Sequence, residues 1–159
     1  MTSTRTGSVT IDVEAGLINI TDVVRAPIKA AWTCLTNRRH IREWWGDHVD
    51  LELHPGGAFE ELWSDPEGRR ARAFGTVHEV SAPFTLVLDW REDDWPYTTI
   101  VVLRLRDLGT STAISVTHKN WPTPADDAVR DTMARHYHAW KTALARLKAY
   151  AAAPRAAAD

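Results

Sequence analysis

Two histidines and a glutamate are the residues of this chain whose positions could support acid–base chemistry. His136 falls on the apolar face of a predicted helix, and His118 falls on the apolar face of a predicted strand. Glu61 alternates with two aromatic residues on another strand, so its carboxylate is predicted to point inward. Histidine titrates near neutral pH, so this set could transfer protons on a bound carbonyl compound. Either histidine would be the general base, with Glu61 or Tyr137 orienting the ligand or donating a proton.

Because buried polar groups need partners, we expect Glu61, His118 and His136 to hydrogen-bond to one another or to a ligand. Each also has a purely structural explanation. His118 could end its strand bonded to water or backbone, His136 could be an interior histidine satisfied by the protein, and Glu61 could point outward from an edge strand. No metal site is expected, because His136 and His138 lie about 200° apart on a helix and cannot chelate one ion.

No nucleotide-binding glycine-rich loop, Gly-x-Ser-x-Gly elbow or Walker motif occurs in the sequence. We therefore expect no cofactor, and neither phosphoryl nor acyl transfer. Cys34 is the only cysteine. Its apolar neighbours favour a small buried hydrophobe over a reactive thiol.

Apolar and aromatic side chains on the same elements predict a ligand cavity. Strand alternation and helix periodicity place them on faces that would look at one another. The predicted ligand-binding residues are Trp63, Leu88, Trp90, Val116, Val129, Met133, Tyr137 and Trp140. The chain has eight tryptophans, and such large rings fill cores but also line pockets for flat ligands. The neighbouring Trp44 and Trp45 are expected to pack a short helix against the sheet, or to gate the cavity with one ring.

The long helix is predicted over residues 125–150. Its apolar residues recur at steps of three and four, which is one helical face: Val129, Met133, Trp140, Leu144, Leu147 and Ala151. His136 shares this face and is predicted to be buried, whereas His138 is predicted to be exposed. Thr123 is the predicted N-cap, with Pro124 at the first helical position. A helix of this length spans about 39 Å, enough to cross a curved sheet.

Alternating hydrophobic segments bounded by turn residues predict an antiparallel sheet of about six to seven strands. Residues 9–25 form one long strand or a strand pair broken near Gly16. Two short helices, 28–36 and 38–45, follow the first strand, and Asn37 caps or interrupts them. The other strands are predicted at residues 49–53, 58–64, 69–80, 84–91, 97–106 and 111–119. Short connections favour antiparallel pairing, and the segregated helices make the fold class α+β.

Length and composition predict one globular domain. The chain has 159 residues, of which 44% are hydrophobic and 25% charged. We place the domain at residues 9–151 and expect flexible tails at 1–8 and 152–159. A net charge of −2 gives no field that would attract nucleic acid or an anionic membrane. The polar start lacks the apolar core of a signal peptide, and no stretch is long enough for membrane insertion, so a cytoplasmic location is expected.

Four segments, in this order and spacing, resemble the START-like superfamily, also called SRPBCC or Bet v 1-like. They are Arg25-Ala26-Pro27 followed by residues 31–36; Trp44-Trp45-Gly46 with Pro55-Gly56-Gly57; residues 75–80 with Pro83; and Ala139-Trp140 with Leu144 and Leu147. Within the superfamily the chain is similar to the C-terminal domain of the Hsp90 ATPase activator, over about residues 16–151. The resemblance implies a helix-grip fold, in which a curved antiparallel sheet wraps around the C-terminal helix and leaves a cavity between them.

The resemblance leaves three functions open. Some relatives bind lipids, sterols or plant-hormone-like molecules, which implies that this chain binds a small hydrophobic or aromatic molecule, the function we favour. Polyketide cyclases of the same fold imply instead a cyclase or dehydratase that uses His118 or His136 for acid–base catalysis. The Hsp90-activator relatives act through protein contact, which implies a chaperone or a second copy of the chain as partner.

Overall fold

Eight antiparallel strands form one sheet in the computed structural model, which describes residues 7–153 and the side chains from residue 9 onwards. The strands are β1 (Gly7–Asp12), β2 (Leu17–Val24), β3 (Val49–Leu51), β4 (Ala58–Ser64), β5 (Arg70–Ser81), β6 (Thr85–Glu92), β7 (Thr99–Asp107) and β8 (Thr112–Lys119). Strands β3 to β8 pair in sequence order, and the β1–β2 hairpin joins the sheet through β2 and β8. The predicted α+β class and antiparallel sheet are confirmed.

The start of the sheet is a strand pair, one of the two arrangements predicted for it. The turn needs a glycine at residue 16, where φ is 64° and a Cβ would lie 2.6 Å from the Trp121 carbonyl oxygen. The pair brings the strand count to eight rather than six to seven. It also places the two short helices after the second strand instead of the first.

Three helices complete the described part of the chain: α1 (Ile28–Thr36), α2 (Arg38–Trp44) and α3 (Asp127–Ala151). The Asn37 side chain caps α2 by accepting from the Arg39 amide, as predicted. The N-cap predicted for the long helix was wrong. Asp126 caps α3 by accepting a hydrogen bond from the Val129 amide, because the helix begins at Asp127, beyond Thr123 and Pro124.

The core lies between the sheet and one face of α3. Strand register aligns the inward side chains, so that His118 of β8 stands opposite Ile18 of β2 and Val101 of β7. His136 is buried and His138 is exposed, which confirms the prediction from helical periodicity. Cys34 is buried in the same core, and burial raises the pKa of its thiol.

The predicted domain limits can be compared only with the described residues. β1 begins at Gly7, inside the predicted N-terminal tail. Residues 1–6 and 154–159, which make up most of the two predicted tails, lie outside the described part of the chain. Within residues 7–153, no helix has the length and apolar character needed to span a membrane.

Candidate functional site

A cavity of about 220 Å³ opens on the inner side of the sheet, beside α3. Strand β4 contributes Glu61 and Trp63 to its wall, and β6 contributes Trp90 and Glu92. Alternation along each strand explains these pairs, because residues two apart share a face. The remaining wall comes from α3 and from the turn that follows α2.

Four tryptophans form most of the apolar wall: Trp45, Trp63, Trp90 and Trp140. The rings of Trp90 and Trp140 have centroids 5.4 Å apart, and the ring of Trp45 lies 5.7 Å from that of Trp140. Trp45 and Trp90 are nearly parallel, at an interplanar angle of 6° and a centroid distance of 6.5 Å. Ring faces at these spacings are suited to stacking or edge contacts with a flat guest.

Glu92, Arg135 and His136 form an ionic cluster in the cavity wall. Arg135 donates from Nη2 to Glu92 Oε1 over 2.8 Å, and His136 Nε2 lies 3.0 Å from Glu92 Oε2. Burial raises the pKa of Glu92, but the hydrogen bonds from His136 and Arg135 outweigh it, and the pKa lies below its usual value. Glu92 is therefore ionised, with both oxygens engaged.

Both ring nitrogens of His136 are engaged inside the protein. Its Nδ1 lies 2.8 Å from the carbonyl oxygen of Thr132, which can only accept, so Nδ1 is the donor of this hydrogen bond. Its Nε2 faces the Glu92 carboxylate, and only 5% of the His136 side chain is exposed.

His118 lies behind the cavity wall and has no exposed surface. The Trp140 indole donates to His118 Nδ1 over 3.1 Å, so Nδ1 is unprotonated and Nε2 carries the proton. That proton is donated to Thr99 Oγ1, at 2.6 Å, and Thr99 in turn donates to the Trp90 carbonyl oxygen. Burial, together with the nearby His136, holds the pKa of His118 well below 6.5. This neutral ring uses both nitrogens to position two tryptophans of the wall.

Glu61 also lines the cavity, but it hydrogen-bonds to neither of its predicted histidine partners. Its Oε2 accepts from Trp45 Nε1 at 2.9 Å and lies 3.2 Å from His48 Nε2. Burial raises the pKa of Glu61 above its usual value, although His48, the Trp45 hydrogen bond and the charge of His136 act in the opposite direction. A raised pKa brings a carboxyl group closer to the pH range in which general acids and bases work.

Of the two arrangements predicted for Glu61, His118 and His136, hydrogen bonding to one another is not found. The two imidazole rings are close, with centroids 5.3 Å apart, but His118 bonds to Thr99 and Trp140. His136 bonds instead to Glu92, the carboxylate that continues the inward face of β6 two residues beyond Trp90.

Several predicted ligand-binding residues belong to the filled core instead of the cavity wall. Trp63, Trp90 and Trp140 line the cavity, together with Glu61 and His136. Leu88, Val116, Val129, Met133 and Tyr137 do not line it, and Met133 has no exposed surface. The physical reason is that Trp95 and Trp121 are buried and pack against His136 at ring-centroid distances of 5.3 Å and 5.1 Å. These two rings fill space that was predicted to belong to the ligand cavity.

Six wall residues were not predicted as site residues: Trp45, His48, Glu92, Arg135, Ala139 and Ala143. Strand alternation could have found Glu92, because Leu86, Leu88 and Trp90 share its face. Helical spacing could have found Ala139 and Ala143, which follow His136 at steps of three and four. His48 carries no comparable pattern, because it lies in an irregular turn.

Two further depressions adjoin the cavity. Glu92 and Arg135 also line a polar cleft of about 430 Å³ that is rich in arginine and aspartate. On the other side, Trp45, His48 and Glu61 border a groove of about 310 Å³ between α2 and α3. Trp45 thus stands between the cavity and this groove. Within residues 7–153 no cluster of three His, Cys, Asp or Glu side chains is arranged to hold a metal ion.

Solved structures with this fold come from several bacteria. A protein from Arthrobacter aurescens is 22% identical, with a TM-score of 0.71, and the match covers 91% of this chain and 90% of that one. CalU16 from Micromonospora echinospora is 21% identical, with a TM-score of 0.72 and coverage of 94% and 87%. Ms6760 from Mycobacterium smegmatis is 16% identical, with a TM-score of 0.73 and coverage of 89% and 94%. At these identities the likeness shows the fold alone.

No curated protein sequence is significantly similar to the chain. A family model does match it, over residues 25–152. The match begins just before α1 and ends just after α3, so it contains every residue of the cavity wall. On this evidence the chain belongs to the Activator of Hsp90 ATPase homolog 1-like family.

Proposed function

We propose that this protein binds a small aromatic molecule in the cavity between the sheet and α3. The supporting observation is the wall of four indole rings, of which that of Trp140 is hydrogen-bonded to His118, while Thr99 holds the backbone of Trp90. Burial of apolar ligand surface contributes about 25 cal/mol per Å², and ring contacts add about 0.5–1.5 kcal/mol each. A wall fixed before binding loses little side-chain freedom when the ligand enters.

The size of the cavity limits the ligand. A volume of about 220 Å³ is below the roughly 300–1,000 Å³ typical of sites for drug-sized molecules. A guest of one or two fused rings fits this space. A sterol or a fatty acyl chain would require the neighbouring groove to open as well.

Filling the cavity tests the proposal. Ala139 and Ala145 are both exposed residues of α3, but only Ala139 lines the cavity and the groove. We expect 2-naphthol to bind the wild type and Ala145→Phe equally, measured by titration calorimetry. Ala139→Phe should weaken binding at least about tenfold, because the phenyl ring occupies the ligand's space.

The melting temperature of each variant checks that the fold is kept. Absence of binding across a panel of one- and two-ring aromatics would contradict the proposal, as would unchanged binding by folded Ala139→Phe. Native mass spectrometry of the protein taken from cell extract supplies an independent readout. Recovery of one stoichiometric protein partner, with no small molecule retained, would favour protein contact as the function.

Acid–base catalysis in the same cavity is the second candidate function. It is favoured by Glu61 and His136, two ionisable side chains on the cavity wall, one of them with a raised pKa. His118 fits a positioning role better, because it has no exposed surface and does not line the cavity. His136→Gln separates the two functions, since a carrier would keep binding and an enzyme would lose most of its turnover.

A further inference from the structure

We infer that the aromatic ligand carries a hydroxyl or N–H hydrogen-bond donor, and that this donor binds Oε1 of Glu61. The inference rests on the proposed function, and it names the chemical class of the ligand. A phenol, a naphthol or an indole belongs to this class. An aromatic carboxylate and a plain hydrocarbon do not.

The two oxygens of Glu61 are used unequally. Oε2 accepts from Trp45 Nε1 and is the atom that faces His48 Nε2. Oε1 has no hydrogen-bond partner among residues 7–153, although only 17% of the side chain is exposed. A carboxylate has about four lone-pair sites, and the Glu61 side chain keeps some exposed surface, so those on Oε1 are open to a donor from a ligand that enters the cavity.

Glu92 provides the contrast on the same wall. Arg135 donates to its Oε1, and His136 Nε2 engages its Oε2. It therefore offers a ligand no comparable free oxygen. Of the two carboxylates in the cavity, Glu61 is the one that can take up a new donor.

The charges around the cavity favour a neutral donor. Glu92 is paired with Arg135 and His136, and Glu61 faces His48. A ligand carboxylate would face the unpaired oxygen of Glu61 and be repelled. A full cation would add a positive charge near Arg135, which already offsets the charge of Glu92. A neutral O–H or N–H group supplies the missing hydrogen bond without changing this balance.

An isosteric variant tests the inference. In Glu61→Gln the amide oxygen is expected to take the place of Oε2, because Trp45 donates there, and the NH2 group then takes the place of Oε1. The free acceptor becomes a donor while the shape of the cavity is kept. Glu60→Gln is the matched control, because Glu60 is the preceding residue of β4 and does not line the cavity.

The measurement is the dissociation constant of naphthalene, 2-naphthol and 2-naphthoate for each protein. The wild type and Glu60→Gln should bind 2-naphthol about tenfold more tightly than naphthalene, since hydrogen bonds to a charged group are among the stronger ones. Glu61→Gln should bind naphthalene as the wild type does and lose most of the preference for 2-naphthol. 2-Naphthoate should bind the wild type most weakly.

Equal binding of naphthalene and 2-naphthol by the wild type would overturn the inference and leave the proposed function intact. So would a preference for 2-naphthoate, or a preference for 2-naphthol that persists in Glu61→Gln. If none of the three compounds binds the wild type, the proposed function fails as well, which is a distinguishable result.

Discussion

His118 joins two walls of the cavity without lining it. Its ring accepts from the indole of Trp140 and donates to Thr99, which holds the backbone of Trp90. A neutral imidazole can do this because it has one acceptor and one donor nitrogen. His118, which was predicted to be catalytic, thus helps to position Trp90 and Trp140.

Replacing this ring should destabilise the protein. In His118→Phe the Trp140 N–H is left buried without its acceptor, which costs about 1–3 kcal/mol of unfolding free energy. Urea denaturation at neutral pH measures the loss. His138→Phe is the control, since that exposed position should change stability by less than about 0.5 kcal/mol. A loss equally small in His118→Phe would show that the hydrogen-bonded chain does not stabilise the fold.

The depressed pKa of His118 predicts a pH dependence with a definite sign. The unfolded chain binds a proton at this residue below about pH 6.5, whereas the folded protein keeps the ring neutral. Folding stability should therefore fall as the pH drops from 6.5 towards the lower folded-state pKa. His118→Phe lacks this contribution, so its stability deficit relative to the wild type should shrink between about pH 7.5 and pH 5.5. A deficit that stays constant over this range would contradict the prediction.

For single residues, the sequence predicted which side chains point into the protein, but not which of them contact one another. Periodicity predicted that His136 is buried and His138 exposed. It did not predict the ion pair of His136 with Glu92, because that contact joins residues 44 positions apart and depends on how far β6 extends beyond Trp90. The predicted strand ended at Arg91, one residue short of the carboxylate.

Helix α3 supplies one long side of the cavity, and contacts near both of its ends fix it. Asp126 caps its N-terminus. Near its C-terminus, Lys148 pairs with Asp22 of β2 at 3.1 Å, and Tyr150 hydrogen-bonds to His40 of α2. The helix therefore keeps a fixed position against the sheet and the smaller helices.

Substitutions of Asp126 and Thr123 test which of these two residues caps α3. Asp126→Ala should lower the free energy of unfolding by about 0.5–2 kcal/mol, because it removes the acceptor for the Val129 amide. Thr123→Ala removes no cap and should change it by less than about 0.5 kcal/mol. Thermal or urea denaturation measures the loss of stability in each variant. A larger loss in Thr123→Ala than in Asp126→Ala would place the cap at Thr123.

Elements were predicted well where their residues alternate or recur, and less well at their ends. Strand β4 and helix α1 have the predicted bounds. The start of α3 was misplaced because Thr123 and Asp126 are both acceptable caps. The choice between them depends on the path of the loop rather than on local residue preference.

At the scale of the whole molecule, the cavity wall is assembled from segments distant in the chain. Trp45 follows α2, Trp63 lies on β4, Trp90 on β6 and Trp140 on α3. Recognition of the fold predicted that sheet and helix would leave a space between them. Where the space remains depends on how eight large indole rings fill the rest, and this packing is not encoded in any local pattern.

A ligand that occupies this wall should stabilise the whole domain. Binding to the folded state alone raises stability by RT ln(1 + [L]/Kd), which is about 2.7 kcal/mol at a hundredfold excess over Kd. For a domain of this size, we expect the melting temperature to rise by about 5–10 °C. Differential scanning calorimetry with saturating 2-naphthol measures the shift. A shift of the same size in Ala139→Phe would locate binding elsewhere on the molecule.

The chain from Trp140 through His118 to Thr99 also has an evolutionary consequence. Each residue donates or accepts a hydrogen bond that its neighbour needs, so a substitution at one position leaves a hydrogen-bonding group of its neighbour without a partner. Among homologues, these three positions are expected to vary together or not at all, and a lineage that has lost His118 should also have remodelled the cavity that Trp140 encloses.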